Sequence, residues 1–328
     1  MRNLVLAIVI SASVITAIAL LSGAKGIYSV MIFNPDLLLF SAGFSLLLFA
    51  LDAFRLKVML KLIGKDLKFH ACFRNVIVCS FFSLTTPFSI GGQAAQVYDL
   101  TKSGVSGTEA TSVVLSRTLI SMFASTGAGL IFMHHVVRAT SLQMMRIPIF
   151  LGFTVSASLT TLIAFALFRM DISEKILRNI LRILPRKLRD KALKGFQKTV
   201  EELKSGVRNL WVDNKAAVFV DLVIWTIYML AQPLSLYVPL KALCDFPVRY
   251  WTMVGMYIIL NITAFYTPTP GASGGIESVF YFSLSPYADR DCLLKSILIW
   301  RIGSYYFPLI IGAFYSWRSM RERSVDRV

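Results

Sequence analysis

The stretch "SLTTPFSIGGQ" at residues 83–93 interrupts an apolar segment with two threonines, a proline and a glycine pair. A second stretch with the same features, "FYTPTPGASGGIE", lies at residues 265–277. Proline lacks a backbone donor and ends a helix, whereas paired glycines permit turns and a close approach of two backbones. Each stretch therefore predicts a broken helix inside an apolar segment.

The composition is typical of a membrane protein. Of the 328 residues 56% are hydrophobic, the mean hydropathy is +0.66, and apolar runs of about 18 or more residues recur. Lysine and arginine number 34 against 18 acids, but they lie beside the apolar runs. This pattern favours a role in topology and in contact with anionic lipid headgroups, and it argues against nucleic acid as a partner. The first run, at residues 4–21, is interpreted as a retained helix rather than a cleaved signal peptide.

The sequence lacks the motifs of common enzyme classes. The four cysteines have no metal-ligand spacing and the three histidines form no HExxH pattern, so we expect no metal site and no cofactor. We also find no Ser/His/Asp arrangement and no phosphate-binding P-loop. A hydrolase and an ATP-driven pump are therefore not expected.

The positions of basic residues predict the topology. Lysine and arginine are abundant after the apolar run at 35–53, between residues 169 and 215, and in the C-terminal tail. The positive-inside tendency places these three regions, and both termini, in the cytoplasm. The remaining apolar runs of spanning length lie at 111–133, 147–168, 216–240 and 293–317.

With these spans, each proline-glycine stretch lies in a segment that enters and leaves the membrane on one side. The segment 75–110 must begin and end inside, and the segment 250–292 must begin and end outside. Both are therefore predicted to be re-entrant hairpins, entering from opposite faces.

The two hairpins belong to an internal repeat. Both contain the pattern T-P-x-x-x-G-G, at Thr86, Pro87, Gly91 and Gly92 and again 183 residues later at Thr269, Pro270, Gly274 and Gly275. Each is followed by an apolar helix that contains an arginine, Arg117 or Arg301. An odd number of spans separates the two motifs, so the halves are predicted to have opposite orientations, as in secondary transporters.

The predicted fold is thus an all-α polytopic membrane protein with an inverted-topology repeat. Each half contains two spans, a re-entrant hairpin and one further span. Residues 1–140 form the first repeat, and residues 141–328 form the second, which includes a cytoplasmic basic amphipathic segment at 172–215. This segment is either a tether between the halves or a surface that gathers anionic lipid.

The broken helices and the two arginines are the candidate substrate site. A helix that restarts after a glycine pair offers free N–H groups to an anion, and a guanidinium binds phosphate with forked hydrogen bonds. The alternatives are that the glycines only allow close helix packing, and that Arg117 and Arg301 extend to the interface. The predicted site consists of Thr86, Pro87, Gly91, Gly92, Gln93, Gln96, Arg117, Thr269, Pro270, Gly274, Gly275, Glu277 and Arg301.

Three further pairs of residues are candidates for direct contact. Glu277 is predicted to pair with Arg301 in an empty site or to contact a cationic headgroup. Asp52 and Arg55, one helical turn apart, are interpreted as a structural ion pair. Cys244 and Cys292 both fall in predicted external loops, where either a disulfide or two thiols is compatible with the sequence.

The motif regions resemble a known family. "TTPFSIGGQAAQVYDLTKSGVSGTEATSVVLSRTL" and "TPTPGASGGIESVFYFSLSP", followed by "LIWRIGSYYFPLIIGAF", are similar to the two signature regions of the lysylphosphatidylglycerol synthase transmembrane family. The resemblance covers nearly the whole chain and implies a flippase-like membrane protein. It places the two loops on the prolines, glycines and arginines named above, with Glu277 in the second loop. This chain departs from the family pattern at Phe88, where glycine is usual, and at Gln93 and Gln96, where an acid and an arginine are usual.

We therefore expect a transporter of the bacterial-type cytoplasmic (inner) membrane. It would move an anionic or modified phospholipid, or a polyprenyl-phosphate-linked lipid, between leaflets. Synthesis of lysylphosphatidylglycerol is not expected, because the sequence ends at Val328 before any aminoacyl-transfer domain. The alternatives are an integral membrane transferase that uses Glu277 as a base, and a carrier of small anions. The sequence leaves the oligomeric state open.

Overall fold

All of the regular structure in the described residues is helical. The computed structural model describes residues 34–89, 91–139, 150–158, 160–162, 207, 211–212, 214–265 and 269–315. Four helices in this part of the chain are long and apolar enough to cross a membrane, namely Pro35–Leu62, Gly107–His134, Lys215–Leu243 and Arg290–Tyr315. The prediction of an all-α membrane protein with several spans is confirmed.

The first set of helices lies before residue 140. It comprises α1 (Pro35–Leu62), α2 (Phe69–Thr85), a 3₁₀ turn (Pro87–Ser89), α3 (Gly91–Lys102) and α4 (Gly107–Ala139). Helix α1 continues nine residues beyond the predicted run at 35–53, because Arg55, Leu56, Met59 and Leu60 are buried against neighbouring helices. Hydropathy alone ends this helix too early, because it counts Arg55 as a residue outside the apolar span, whereas Arg55 is buried in an ion pair.

The second set of helices follows residue 214 in a similar order. It comprises α5 (Lys215–Ala231), α6 (Leu234–Leu243), α7 (Tyr250–Phe265), a second 3₁₀ turn (Pro270–Ala272), α8 (Gly275–Leu284) and α9 (Arg290–Arg301). A π-helical turn at Ile302–Tyr306 continues α9 into a helix at 307–315. The predicted span at 216–240 lies within the apolar helix Lys215–Leu243, which a turn at residues 232–233 divides into α5 and α6, because Pro233 has no N–H to continue the helical hydrogen bonds.

The two sets pack against each other through several pairs of elements. Helix α1 packs on α5, α4 packs on α7, and the two 3₁₀ turns contact each other. Within each set the two arms that flank the turn also pack together, α2 on α3 and α7 on α8. This arrangement brings α1, α4, α5 and α7 around one central region, where the candidate site lies.

Both proline turns contain backbone in the left-handed region. Ser89 has φ 55° and Ala272 has φ 53°, while Gly274, directly before α8, has φ 87°. A side chain rarely adopts this conformation, so glycine at position 274 relieves strain at the start of α8. In the first hairpin the glycine serves a different purpose, because a Cβ on Gly92 would lie 1.8 Å from Ser83 Oγ. Gly92 therefore allows α3 to approach α2 closely.

A disulfide joins Cys244, after α6, to Cys292 in α9, with the Cα atoms 5.6 Å apart. The structure thus selects the disulfide from the two alternatives open to the sequence. The predicted span at 147–168 is represented by helical residues 150–158 and 160–162. The predicted first helix at 4–21 and nearly all of the amphipathic segment 172–215 lie outside the described residues.

Candidate substrate site

A cavity of about 450 Å³ lies between the two sets of helices. Its wall combines charged and amide side chains with apolar ones, and it receives residues from α1 to α5 and from α7. The lining residues in the first set are Asp52, Arg55, Cys79, Gln93, Gln96, Val114, Arg117, Thr118, Ser121, Met122, Ser125 and Thr126. The others are Ser156, Trp225, Met229, Gln232, Tyr257, Ile258, Asn261 and Ile262.

Arg55 and Asp221 form a buried ion pair at this cavity. The Arg55 guanidinium donates two hydrogen bonds to the Asp221 carboxylate, from Nε to Oδ1 at 2.7 Å and from Nη2 to Oδ2 at 2.6 Å. The side chains are 4% and 1% exposed. Arg55 also lies over the Trp225 ring, 4.7 Å from its centroid, and donates to the Arg117 carbonyl at 2.9 Å. This forked geometry fixes Arg55 firmly in place.

A second buried arginine, Arg117, is held more loosely. Its Nη2 donates to Asp52 Oδ1 at 2.7 Å and to the Asp52 carbonyl at 3.1 Å. Arg117 Nε lies 3.8 Å from Asp221 Oδ1, and this nitrogen has no hydrogen-bond partner among the described residues. The indole nitrogen of Trp225, also at the cavity wall, likewise lacks a partner there. Both nitrogens are buried donors without a hydrogen-bond partner, on residues that line the cavity.

The four charges form one neutral cluster. Arg55 and Arg117 balance Asp52 and Asp221, and the Asp52 carboxylate lies 3.6 Å from Arg55 as well. The predicted ion pair between Asp52 and Arg55 is present and belongs to this larger cluster, in which Arg117 is the nearer partner of Asp52 and Asp221 the nearer partner of Arg55. Arg117 is only 5% exposed, so it does not extend to the membrane interface.

The arginine of the second set, Arg301, belongs to a separate pair. Its Nε lies 2.8 Å from Glu277 Oε1, and the two side chains are 3% and 1% exposed. The guanidinium also lies over the Tyr305 ring, 4.0 Å from its centroid. The predicted pairing of Glu277 with Arg301 is confirmed. Neither residue lines the cavity, so the structure does not bring Arg301 to the same site as Arg117.

The helix starts after the two proline turns are capped by the protein itself. The Gly91 N–H donates to Thr86 Oγ1 at 3.0 Å, and the Gly274 N–H donates to Glu277 Oε2 at 2.8 Å. These donors are therefore engaged within the hairpins. At Gly92 the structure favours the packing alternative, since the glycine is needed for the contact with Ser83.

The cavity contains three of the predicted site residues, Gln93, Gln96 and Arg117. The other predicted residues form the turns and the Arg301 pair, and do not line it. They are Thr86, Pro87, Gly91, Gly92, Thr269, Pro270, Gly274, Gly275, Glu277 and Arg301.

Sequence reasoning missed Asp221. It is the one charged residue inside the predicted span at 216–240, and an ionisable residue within a span is itself a signal of function. Trp225 and Asn261 gave no such signal, because aromatic and amide side chains are common in membrane helices.

The fold and this site define a multi-pass helical membrane protein with a charged cavity between two sets of helices. The chain belongs to the family described as the lysylphosphatidylglycerol synthase TM region, whose model matches residues 4–312. It is also similar to a UPF0104 membrane protein of Archaeoglobus fulgidus, with 24% identity over 276 residues, which cover 80% of each chain. The family resemblance seen in the two motif regions is thereby confirmed.

Proposed function

We propose that this protein moves a phosphate-bearing lipid between the leaflets of the cytoplasmic membrane, with the phosphate bound in the cavity. The observation that carries the proposal is the pair of buried arginines, Arg55 and Arg117, at the wall of a cavity between two sets of helices. Arginine suits phosphate because its planar donors match two phosphate oxygens at once. Membership of a family related to lipid handling supports the same conclusion.

The cavity lining suits a lipid better than a simple ion. Its polar side includes Gln93, Gln96 and Asn261, which can hydrogen-bond to a headgroup, while Met122 and Ile262 offer apolar surface. Small-molecule sites combine a mainly apolar lining with a few fixed polar groups. A headgroup and the first carbons of its chains would use both kinds of surface.

An inverted repeat would explain how such a site becomes open to either leaflet. The first and the last residues of the two 3₁₀ turns, Pro87–Ser89 and Pro270–Ala272, differ by the same offset of 183 positions. Both turns end on a residue with φ near 55°. The helices that follow the hairpins, α4 and α9, begin at residues 107 and 290, which differ by the same offset. These matches support two copies of one unit, and rocking of inverted copies about a shared site is the usual route to alternating access.

The proposed orientation puts both termini in the cytoplasm and both hairpins re-entrant. The disulfide between Cys244 and Cys292 supports this arrangement, because disulfides persist in oxidising compartments and both cysteines fall on the predicted external side. The basic residues of the cytoplasmic side would then face anionic lipid headgroups.

The transferase alternative is less well supported. Glu277, the proposed base, is 1% exposed, pairs with Arg301, caps α8 and does not line the cavity. We therefore propose a transporter without a chemical step. A small-anion carrier remains the competing function, and a transport assay separates the two.

The test is movement of fluorescent lipids across liposomes that contain the purified protein. We expect faster leaflet exchange of phosphatidylglycerol with wild type, and loss of this acceleration in Arg117→Gln. Arg74→Gln is the matched control, because the Arg74 side chain is 38% exposed, pairs with Asp99 and does not line the cavity. Equal acceleration by folded Arg117→Gln would refute the proposal, and uptake of inorganic phosphate without lipid movement would favour the small-anion carrier.

A further inference from the structure

We propose that Asp52 is a proton-binding site coupled to the phosphate site, so that a lipid phosphate and a proton enter the cavity together. The proposal rests on the proposed function and adds its coupling ion. When phosphate binds Arg117 it displaces the Asp52 carboxylate, which takes up one proton from water and becomes a neutral carboxylic acid. No other bond is made or broken.

The two acids of the cluster differ in access to the cavity. The Asp52 side chain is 24% exposed and lines the cavity, whereas the Asp221 side chain is 1% exposed and does not line it. A ligand and a proton in the cavity therefore reach Asp52 first.

The two acids also differ in how firmly they are held. Asp221 accepts two short hydrogen bonds from Arg55 in a forked arrangement. Asp52 accepts one from Arg117 at 2.7 Å and has a longer contact of 3.6 Å with Arg55. Asp221 therefore anchors Arg55, while Asp52 is the partner that an incoming phosphate can replace at Arg117.

Arg117 is suited to this exchange. Its Nη2 is engaged with Asp52, and its Nε has no hydrogen-bond partner among the described residues. A phosphate would replace the Asp52 carboxylate at Nη2, and a rotation of the Arg117 side chain that brings the buried Nε toward the cavity would let the phosphate accept from both nitrogens. The backbone position of Arg117 need not change, because Arg55 holds the Arg117 carbonyl.

Charge balance then requires the proton. The two arginines and two aspartates are neutral together, so a bound phosphodiester leaves the buried cluster with one excess negative charge. An uncompensated charge in such surroundings is costly, and protonation of the displaced carboxylate removes it. A phosphodiester lacks the second titrating proton of a monoester, so the proton must reside on the protein.

Other titratable and charged groups surround Asp52 from several helices, and none restores the balance as directly. These neighbouring groups are Arg55 on α1, Cys79 on α2, Arg117 on α4, Asp221 and Tyr228 on α5, and Tyr257 across the cavity on α7. Of the two carboxylates, only the one on Asp52 loses its hydrogen-bonded arginine in the exchange.

The experiment measures proton uptake during lipid binding. Purified wild type in detergent is titrated with dioctanoyl phosphatidylglycerol by calorimetry, at one pH in buffers of different ionisation enthalpy, with dioctanoylglycerol as the phosphate-free control. We expect uptake of about one proton per lipid, and an affinity that falls up to about tenfold for each unit by which the pH rises within the coupled range.

Two variants identify the proton acceptor. Asp52→Asn should bind the lipid without proton uptake and with an affinity independent of pH, while Asp52→Glu should keep both effects. Saturable binding by wild type with no proton uptake, or unchanged uptake in Asp52→Asn, would overturn the coupling and leave the transport proposal standing. Absence of saturable phosphatidylglycerol binding by wild type would overturn both.

Discussion

Replacing Asp221 with asparagine tests whether the charged cluster is organised around a fixed and an exchangeable acid. The substitution keeps the size of the side chain but leaves the Arg55 charge, 4% exposed, without its forked partner. Breaking a buried ion pair by removing one member costs about 3–5 kcal/mol. We expect a loss of that size in the free energy of unfolding. Both side chains are buried, so solvent does not weaken the interaction between them.

The matched control is Asp52→Asn on the same cluster. The Asp52 side chain is 24% exposed and lines the cavity, so solvent partly screens its interaction with Arg117 and the expected loss is about 1 kcal/mol. Unfolding by denaturant in mixed micelles, followed by tryptophan fluorescence, measures both variants. A loss below about 1 kcal/mol in Asp221→Asn, or equal losses in the two variants, would refute the distinction between the two acids.

Two further predictions concern the hairpins and their ends. Gly92→Ala should lower the free energy of unfolding by about 1–3 kcal/mol, because the new Cβ would lie 1.8 Å from Ser83 Oγ. Gly43→Ala is the control and should be neutral or stabilising, because a Cβ there would have nothing within 4 Å. Comparable losses in the two variants would contradict the packing argument. With the other two cysteines replaced by alanine, Cys244 and Cys292 should react with a membrane-impermeant maleimide in intact cells only after reduction. Labelling without reductant would argue against the disulfide, and labelling only after lysis would reverse the proposed orientation.

The hydropathy and the motifs predict much of the fold. Long apolar runs require helices in a membrane, since only internal hydrogen bonding satisfies the backbone there. The breaks at Pro87 and Pro270 are equally local, because proline acts on its own helix. The pairing of Glu277 with Arg301 could be predicted from the sequence as well, because each is a rare charge in an apolar region and needs a partner.

Boundaries and partners across the bundle depend on tertiary packing. Helix α1 continues past the predicted run, which ends at residue 53, and it buries Arg55, whose partner Asp221 lies 166 residues away. The sequence shows each charge but not which pairs will meet, because their choice depends on how α1 packs against α4 and α5. The same dependence on packing separates the two arginines, since Arg117 lines the cavity whereas Arg301 pairs with Glu277.

The sequence by itself determined the class of protein and the broken helices at the two proline motifs, because composition and proline act locally. Only the tertiary structure decided that Arg117 faces a cavity while Arg301 is sealed against Glu277 and Tyr305. It also decided that Asp52 rather than Asp221 is accessible from that cavity. Exposure of a charge depends on the surfaces that surround it, and those surfaces come from helices far apart in the chain.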